Sequence, residues 1–284
     1  MQSSHTPEKA RRAPADSAYP RHGGSCPDLD LVGGSYSARF ARTLADLEAV
    51  QRLRFQVFNI ELREGLDESY ATGLDQDKYD LNCHHLMVIH TESNTVVGTY
   101  RLQTAAMAQQ GAGFYTNDEF DLSGLPDELV ARSVETGRAC VAAEHRNGRV
   151  INMLWKGLAS YVCFNEKTVL FGCCSLTSQS PHVARHTYDF LCQGGFLHPT
   201  YRIQPRPDFV AYGPDFVPDV DVTVKLPALF AGYLKLRAKV TGPPALDRMF
   251  KTIDFLTLMD LDDLEPQVRH TFFRHVDGRT SGSG

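Results

Sequence analysis

The chain has 284 residues, of which 42% are hydrophobic and 22% are charged, and its formal net charge is −5. A chain of this length and composition can bury one large core, and its net negative charge argues against a general nucleic-acid-binding protein. The seven cysteines are irregularly spaced without a Cys-x-x-Cys pair, which favours reduced thiols in a cytoplasmic protein.

The two ends of the chain differ in composition from the middle. Residues 1–35 and 275–284 are rich in small, polar and charged residues without periodicity, so we expect disordered tails around a single domain at 36–274. No apolar run reaches the roughly 18 to 20 residues that a transmembrane helix needs. We also find no apolar signal-peptide core near residue 1, and therefore expect neither an integral nor a Sec-exported protein.

The first predicted helix carries a charge on its apolar face. Residues 37–41 suit a short strand, and Thr43 with Asp46 then forms a capping box that starts a helix to about Ile60. Arg54 lies in line with the apolar stripe of this helix and points towards the core. Either it snorkels at the edge of the stripe or it has a buried acidic partner, because an unpaired buried charge costs several kcal/mol.

The next predicted elements alternate between strands and helices. The pattern predicts a hairpin, a strand, a helix after Gly148, an apolar strand and a helix from Ser180-Pro181 to Gly194; its strands are residues 84–90, 96–103, 134–141 and 168–175. This order favours a mixed sheet with helices on its faces.

Charged residues also interrupt the predicted strands. Arg101 lies in the second hairpin strand, and Glu135 and Arg138 lie three residues apart in the next one. Residues at that spacing face opposite sides of a regular strand, so a shared site requires a bulge, which Gly137 would permit. The alternative is a surface salt bridge.

A candidate anion site follows this strand. The first N–H groups of the helix after Gly148, with Arg146 and Arg149, can hold a phosphate or pyrophosphate. The same residues are also compatible with an ordinary polar loop.

Taken together, these segments resemble the Gcn5-related N-acetyltransferase (GNAT) superfamily and, within it, acyl-homoserine-lactone synthases and the hemolysin-like L-ornithine N-alpha-acyltransferases. The resemblance covers about residues 37–270. It rests on Arg54-x-x-Val57-Phe58, Asp80-x-x-Cys83-x-His85, residues 97–102, Glu135-Thr136-Gly137-Arg138 and His145-Arg146-Asn147-Gly148, with weaker support from residues 232–234 and 250–254.

The resemblance implies an α/β GNAT-like fold, with a mixed, mostly antiparallel sheet, a bulged and splayed central strand, and helices on both faces. It implies transfer of a long, 3-hydroxylated acyl chain from acyl carrier protein to the alpha-amine of a small amino acid substrate, with ornithine favoured and glycine or others as alternatives. No cofactor is expected to be bound, since the donor is the 4'-phosphopantetheine thioester of the carrier. Val150 replaces the second glycine or alanine of the acetyl-coenzyme A signature, which argues against ordinary coenzyme A use and is compatible with a protein-borne arm.

The resemblance also implies roles for individual residues. Glu135 is expected to act as the base in a catalytic set that also contains Arg54, Asp77, Asp80, Arg101 and Arg138. Asp75, His85 and Cys140 are expected near the substrate. The pantetheine arm is assigned to Arg146, Asn147, Gly148, Arg149 and Val150. The aspartates at 75, 77 and 80 can hold the substrate ammonium, share a proton relay or pair with arginines, and the sequence does not separate these roles.

The sequence also leaves two alternative functions open and suggests a basic surface and an apolar surface. The alternatives are an acyl-homoserine-lactone synthase and a non-catalytic membrane-active protein. Basic residues near 146–156 and 225–239 suit an acidic carrier, and the apolar residues of 226–236 suit either the core or a peripheral contact with an anionic membrane. No metal site is predicted, because His182 and His186 lack the motif of a zinc protease.

Overall fold

The computed structural model describes residues 19–218 and 222–280, which fold around one mixed sheet. In the described residues this sheet has nine strands: β1 Leu31–Gly33, β2 Tyr36–Phe40, β3 His84–His90, β4 Thr95–Thr104, β5 Ser133–Val141, β6 Val169–Leu176, β7 Lys239–Val240, β8 Ala245–Asp247 and β9 Thr252–Asp260. Their order is β1-β2-β3-β4-β5-β6-β9-β7, and β8 also pairs with β9. Only β5 and β6 are parallel among the described pairs, so the predicted mixed, mostly antiparallel sheet is confirmed.

Helices cover both faces of the sheet. The described α-helices are α1 Leu44–Phe55, α2 Ser69–Thr72, α3 Ala105–Gln109, α4 Thr116–Glu119, α5 Asp127–Ala131, α6 Arg149–Phe164, α7 Pro181–Gln193, α8 Ala228–Lys235 and α9 Pro266–Thr280. None of the helices in the described ranges is long and apolar enough to cross a membrane.

Helix α1 begins and ends for identifiable reasons. The Thr43 hydroxyl accepts from the Asp46 N–H at 3.1 Å, and the Asp46 carboxylate accepts from the Thr43 N–H at 3.2 Å, which confirms the predicted capping box. After Phe55 the helix widens into a π-helical turn at Gln56–Glu61. Such turns are frequent at functional sites, and this one lies next to Arg54.

Alternate residues of β3 pack on opposite faces of the sheet. Met87 packs with Val50 of α1, whereas Leu86 packs under Gly157 of α6. A Cβ at Gly157 would lie 2.5 Å from Cδ2 of Leu86, so the glycine allows close contact between α6 and the sheet. Because both faces of β3 are covered, His84 and His85 are both buried, at 1% and 0% exposure.

The folded part extends beyond residues 36–274. Strand β1 pairs with β2, and Cys26 and Leu29 are buried, so residues 19–35 contribute to the core instead of forming a tail. At the other end α9 packs on α6 and continues to Thr280, and Nε2 of His275 lies 2.8 Å from the hydroxyl oxygen of Ser160. The contacts of these segments explain why composition alone misassigned them. The remaining predicted tail residues, 1–18 and 281–284, lie outside the described residues.

The two parallel strands separate in the middle of the sheet. Pairing of β5 with β6 begins at Ser133 and Val169 and ends at Glu135 and Phe171. A Cβ at Gly172 would lie 2.1 Å from the carbonyl oxygen of Thr136, so only glycine permits this close approach at the point of separation. The strands then diverge and leave a gap, as the predicted splayed strand requires.

Candidate active site

The gap between β5 and β6 opens into a cavity of about 1270 Å³. It is lined by charged side chains from four parts of the chain: Glu64, Arg101, Glu135, Arg138 and Asp254. Its apolar part is lined by Leu154, Trp155, Leu170, Val183, Leu226, Leu229, Phe230, Tyr233, Leu236 and Met259. Arg146 and Lys225 also line it, so the cavity is amphiphilic, with both charged and apolar side chains on its walls.

A bulge in β5 places Arg138 at this cavity. Thr99 of β4 pairs with Cys140 and Arg101 pairs with Gly137, so two residues, Arg138 and Ala139, oppose one residue of β4. Arg138 itself has a left-handed backbone, with φ of 49°, which costs about 1 kcal/mol or more for a residue other than glycine. The predicted bulge is present, but Arg138 and not Gly137 adopts the left-handed conformation.

Three arginines and three aspartates form a buried network. Arg54 donates to Asp75 at 2.7 Å and to Asp80 at 2.8 Å. Arg101 donates to Asp77 at 2.5 Å and to Asp80 at 2.9 Å. Although burial alone raises it, Arg54 and Arg101 hold the pKa of Asp80 well below its usual range.

Arg138 completes this arginine–aspartate network. It forms an ion pair with Oδ2 of Asp75, and its guanidinium lies between the rings of Phe58 and Phe250, at 4.1 and 4.4 Å from their centroids. Burial, followed by the like charge of Arg54, lowers the pKa of Arg138 to about 9, which leaves it charged at neutral pH. Of the three roles left open for the aspartates, the structure shows pairing with arginines.

Glu135 lies at the start of the splay and is held by main-chain groups. Its two carboxylate oxygens accept from the N–H groups of Thr116 at 2.7 Å and Tyr115 at 3.1 Å, at the beginning of α4. Burial raises the pKa of Glu135, and the N–H of Thr116 opposes this shift. With its amide nitrogen facing Glu135, the buried Gln103 side chain also donates to Oε2 at 3.2 Å. A carboxylate has about four acceptor positions, so about one remains for a ligand or a water.

The residues expected near the substrate occupy different positions. Cys140 lines the cavity, and burial raises the pKa of its thiol to about 12, so the thiol is protonated. Asp75 is fully buried between two arginines. His85 is also buried and outside the cavity lining, where its Nε2 lies 3.1 Å from the carbonyl oxygen of Asp80. Burial lowers the pKa of His85 to about 4, so it is a neutral core residue behind the network and does not reach a ligand in the cavity.

The loop before α6 is only partly free to bind an anion. Gly148 lines the cavity with φ of 81°, and the Asn147 side chain accepts from the N–H of Arg149 at 3.0 Å. Arg149 is exposed, but Arg146 is held by Glu61 at 2.5 and 2.7 Å. The side chain of Val150 packs on the sheet, where a Cβ at Gly98 would lie 2.5 Å from Cγ1 of Val150. Only the main chain of Val150 is therefore placed to contact a phosphate.

The residues expected on a basic surface and on an apolar surface occupy different environments in the structure. Arg237 pairs with Glu265 at 3.2 Å, and Lys239 donates to the carbonyl oxygen of Gly195 at 2.8 Å. Lys225 lines the cavity. The apolar side chains considered for a membrane contact line the cavity instead: Leu226, Leu229, Phe230, Tyr233 and Leu236.

Several polar groups of the site were missed by the sequence analysis. The N–H groups of Tyr115 and Thr116 carry no side-chain signal. Asp254 carries such a signal, because it is a charged residue within the apolar strand β9, like Arg101 in β4. Glu119, Asp247 and Asp254 together form a second carboxylate cluster.

Comparison with known proteins supports an acyl-transferring site. Residues 53–156 match the family described as Acetyltransferase (GNAT) domain. The chain is 33% identical over 257 residues to L-ornithine N(alpha)-acyltransferase of Rhodobacter capsulatus, covering 86% of this chain and 97% of the relative. It is 32% identical over 254 residues to the protein of the same name from Brucella abortus, covering 83% of this chain and 88% of the relative.

A solved structure also matches. The acyl-homoserine-lactone synthase LasI is 13% identical and aligns with 85% of this chain and 96% of its own, at a TM-score of 0.46.

Proposed function

Because the chain belongs to the L-ornithine N(alpha)-acyltransferase family, we propose that this acyltransferase uses acyl carrier protein as donor and the alpha-amine of ornithine as acceptor. The transferred group is a long acyl chain, 3-hydroxylated in the favoured case, and the product is an N-acyl amino acid of the lyso-lipid type.

The amphiphilic cavity is the observation that carries this proposal. An acyl amino acid has a charged head and a long apolar tail, and the cavity is lined both by charged side chains and by a large set of apolar ones. Burial of a hydrocarbon chain favours binding by about 0.8 kcal/mol for each CH₂ group. The apolar lining by α6 and α8 therefore supports a long chain in preference to an acetyl group.

The donor thioester fits the gap between β5 and β6. In this proposal the phosphate of the pantetheine arm lies at the first turn of α6, where N–H groups and the exposed Arg149 favour negative charge. The arm then follows β5, whose main chain beyond Glu135 is no longer paired with β6. Main-chain N–H groups of this segment would stabilise negative charge on the thioester oxygen.

Glu135 is proposed to remove the proton that blocks attack. The alpha-ammonium group transfers one proton to Glu135, directly or through a water, and the free amine forms a bond to the thioester carbon. The C–S bond then breaks, and the second amine proton leaves with the pantetheine thiolate as the thiol. The raised pKa of Glu135 brings this carboxylate closer to the range of a useful base.

Reconstitution with purified components tests the proposal. The chain is incubated with ornithine and either 3-hydroxyacyl carrier protein or the matching coenzyme A thioester, and products are measured by mass spectrometry. We expect N-alpha-acylornithine from the carrier substrate at a much higher kcat/KM. Equal use of both donors would reject carrier specificity, and absence of the product with both would reject the proposed reaction.

A further inference from the structure

A second group of buried acids lies beside the proposed reaction centre. Glu119 of α4, Asp247 of β8 and Asp254 of β9 bring three carboxylate oxygens within 4.8 Å of one another. The three residues are 1%, 3% and 2% exposed. They come from three separate elements, so their meeting is a product of the tertiary fold and not of one local motif.

The hydrogen bonds around this second carboxylate cluster are incomplete. Asp247 is well supported, since it accepts from the N–H groups of Met249 and Phe250 and from the Tyr115 hydroxyl at 3.0 Å. Asp254 accepts from the Thr252 hydroxyl at 2.9 Å through Oδ2, but its Oδ1 is buried without a hydrogen-bond partner. Oε1 of Glu119 is in the same condition. A ligand that donates hydrogen bonds could satisfy these two buried acceptor oxygens, and a buried acceptor left unsatisfied costs about 1 to 3 kcal/mol.

The cluster also lacks a direct ion pair. Among the described residues, no lysine or arginine forms an ion pair with Glu119, Asp247 or Asp254, whereas each of Asp75, Asp77 and Asp80 has an arginine partner. Burial, and then the neighbouring acids, raise the pKa of Glu119 well above its ordinary value. A buried group of acids with these properties suits a cationic ligand.

The position of the cluster indicates which cation would reach it. Asp254 and Thr252 line the cavity, while Glu119 and Asp247 lie behind Asp254. Tyr115 connects this cluster to the base, because its N–H donates to Glu135 and its hydroxyl donates to Asp247. A ligand with its amine at Glu135 and a second cationic group one short chain away can thus contact both places.

We propose that Asp254, supported by Glu119 and Asp247, binds the side-chain ammonium group of the amino acid substrate and selects a diamino acid over a neutral one. The proposal rests on the proposed function, because it assumes that the alpha-amine lies at Glu135. An ammonium group donates three hydrogen bonds, which suits two unpartnered carboxylate oxygens and a neighbouring acid.

The specificity test compares ornithine with norvaline, which has the same carbon chain but no side-chain ammonium. With the carrier thioester as donor, we expect kcat/KM for ornithine to exceed that for norvaline by about a hundredfold or more in the unchanged protein. In Asp254→Asn, and in Glu119→Gln as a second variant, ornithine should lose at least tenfold while norvaline changes less than threefold. The matched control is Asp260→Asn, which changes the last residue of the same strand β9, where Asp260 pairs with Arg132. It should leave the ratio of kcat/KM for ornithine to kcat/KM for norvaline unchanged.

The result that overturns the proposal is an equal loss for ornithine and norvaline in both variants, since the cluster would then act on the fold or the reaction. A direct binding arm separates this from failure of the proposed reaction. Ornithine should raise the melting temperature of the unchanged protein but not that of Asp254→Asn, even if no acyl product forms. Stabilisation of the unchanged protein by MgCl₂ or CaCl₂, lost in Asp254→Asn and absent with ornithine, would instead assign the cluster to a metal ion and refute the proposal.

Discussion

Arg54 and Asp80 form an ion pair that solvent does not reach, with Nη1 of the arginine 2.8 Å from Oδ1 of the aspartate. The same aspartate accepts from Arg101 of β4, and Arg54 also binds Asp75, which pairs with Arg138 of β5. The network thereby joins α1, the segment after it and two central strands. Arg101 and Arg138 line the cavity, so their positions there depend on this ion-pair network. Arg54 itself does not line the cavity.

Removing Arg54 from this ion-pair network should destabilise the fold strongly. We expect Arg54→Met to lower the free energy of unfolding by about 3 to 5 kcal/mol, because Asp75 and Asp80 each lose one arginine partner and three aspartates are left with only Arg101 and Arg138. Urea denaturation followed by circular dichroism measures this loss.

A surface pair on the same helix provides the control. Arg52 pairs with Glu48, and their side chains are 61% and 49% exposed. Arg52→Met should cost less than about 1 kcal/mol, as is usual for exposed pairs. Similar losses for the two variants would show that the buried network adds no special stability.

Much of the arginine–aspartate network can be predicted from sequence, and the second cluster cannot. Arg54, Arg101 and Glu135 interrupt apolar patterns, so their burial implies partners, and the aspartates at 75, 77 and 80 are close enough in sequence to suggest them. The second cluster joins Glu119 to Asp247 and Asp254 across more than a hundred residues. Its members lie in a four-residue helix, a three-residue strand and a C-terminal strand that residue patterns did not reveal.

The local backbone explains the other differences between the site predicted from sequence and the site in the structure. Gly137 is the residue that sequence rules favour for a bulge, yet the left-handed position is taken by Arg138, whose ion pair and two aromatic contacts offset the strain. The Glu135 carboxylate accepts from two main-chain N–H groups, which every residue but proline carries. Neither feature has a side-chain signature.

Loss of the proposed base should reduce turnover more than binding. We expect Glu135→Gln to lower kcat by about a hundredfold or more, the usual scale for a general base. The amide also places an NH₂ group against one main-chain N–H, so we expect a lower melting temperature, and rates are to be measured well below it.

The control for this experiment is Glu92→Gln, which changes an exposed residue in the turn between β3 and β4. It should leave both kcat and the melting temperature unchanged. A folded Glu135→Gln protein with near-normal kcat would remove Glu135 from the role of base.

Docking of an acidic carrier should depend on exposed cations near the proposed pantetheine site. Arg149 is exposed at the start of α6, and Lys225 is exposed and lines the cavity. We expect Arg149→Glu combined with Lys225→Glu to raise the KM for the carrier substrate at least fivefold with little change in kcat, and added salt should raise the KM of the unchanged protein.

Lys167 lies beyond the opposite end of α6, about 24 Å from Arg149 along the helix axis at 1.5 Å per residue. Charge reversal there, Lys167→Glu, is the control and should not alter the KM. A salt-independent KM in the unchanged protein would contradict electrostatic docking at this face.

The free energy of unfolding should depend on pH through the buried carboxyl group of Asp254. Burial, with Asp247 adding to it, raises the pKa of Asp254 from 3.8 to about 6. Between these two values the folded protein holds a proton that the unfolded chain has released, so the contribution of this carboxyl to stability falls as the pH rises from about 4 to 6. At 1.36 kcal/mol for each pKa unit, the loss above pH 6 amounts to about 3 kcal/mol at most.

Asp254→Asn removes the titrating group, so this variant should be more stable than the unchanged protein at pH 7, and the difference should shrink towards pH 4.5. Urea unfolding at intervals between pH 4.5 and 7.5 measures both curves. Saturating ornithine at pH 7 should narrow the gap again, because an ammonium group bound at Asp254 favours the ionised carboxylate in the folded state. A stability difference that is constant across this pH range would show that Asp254 does not titrate there.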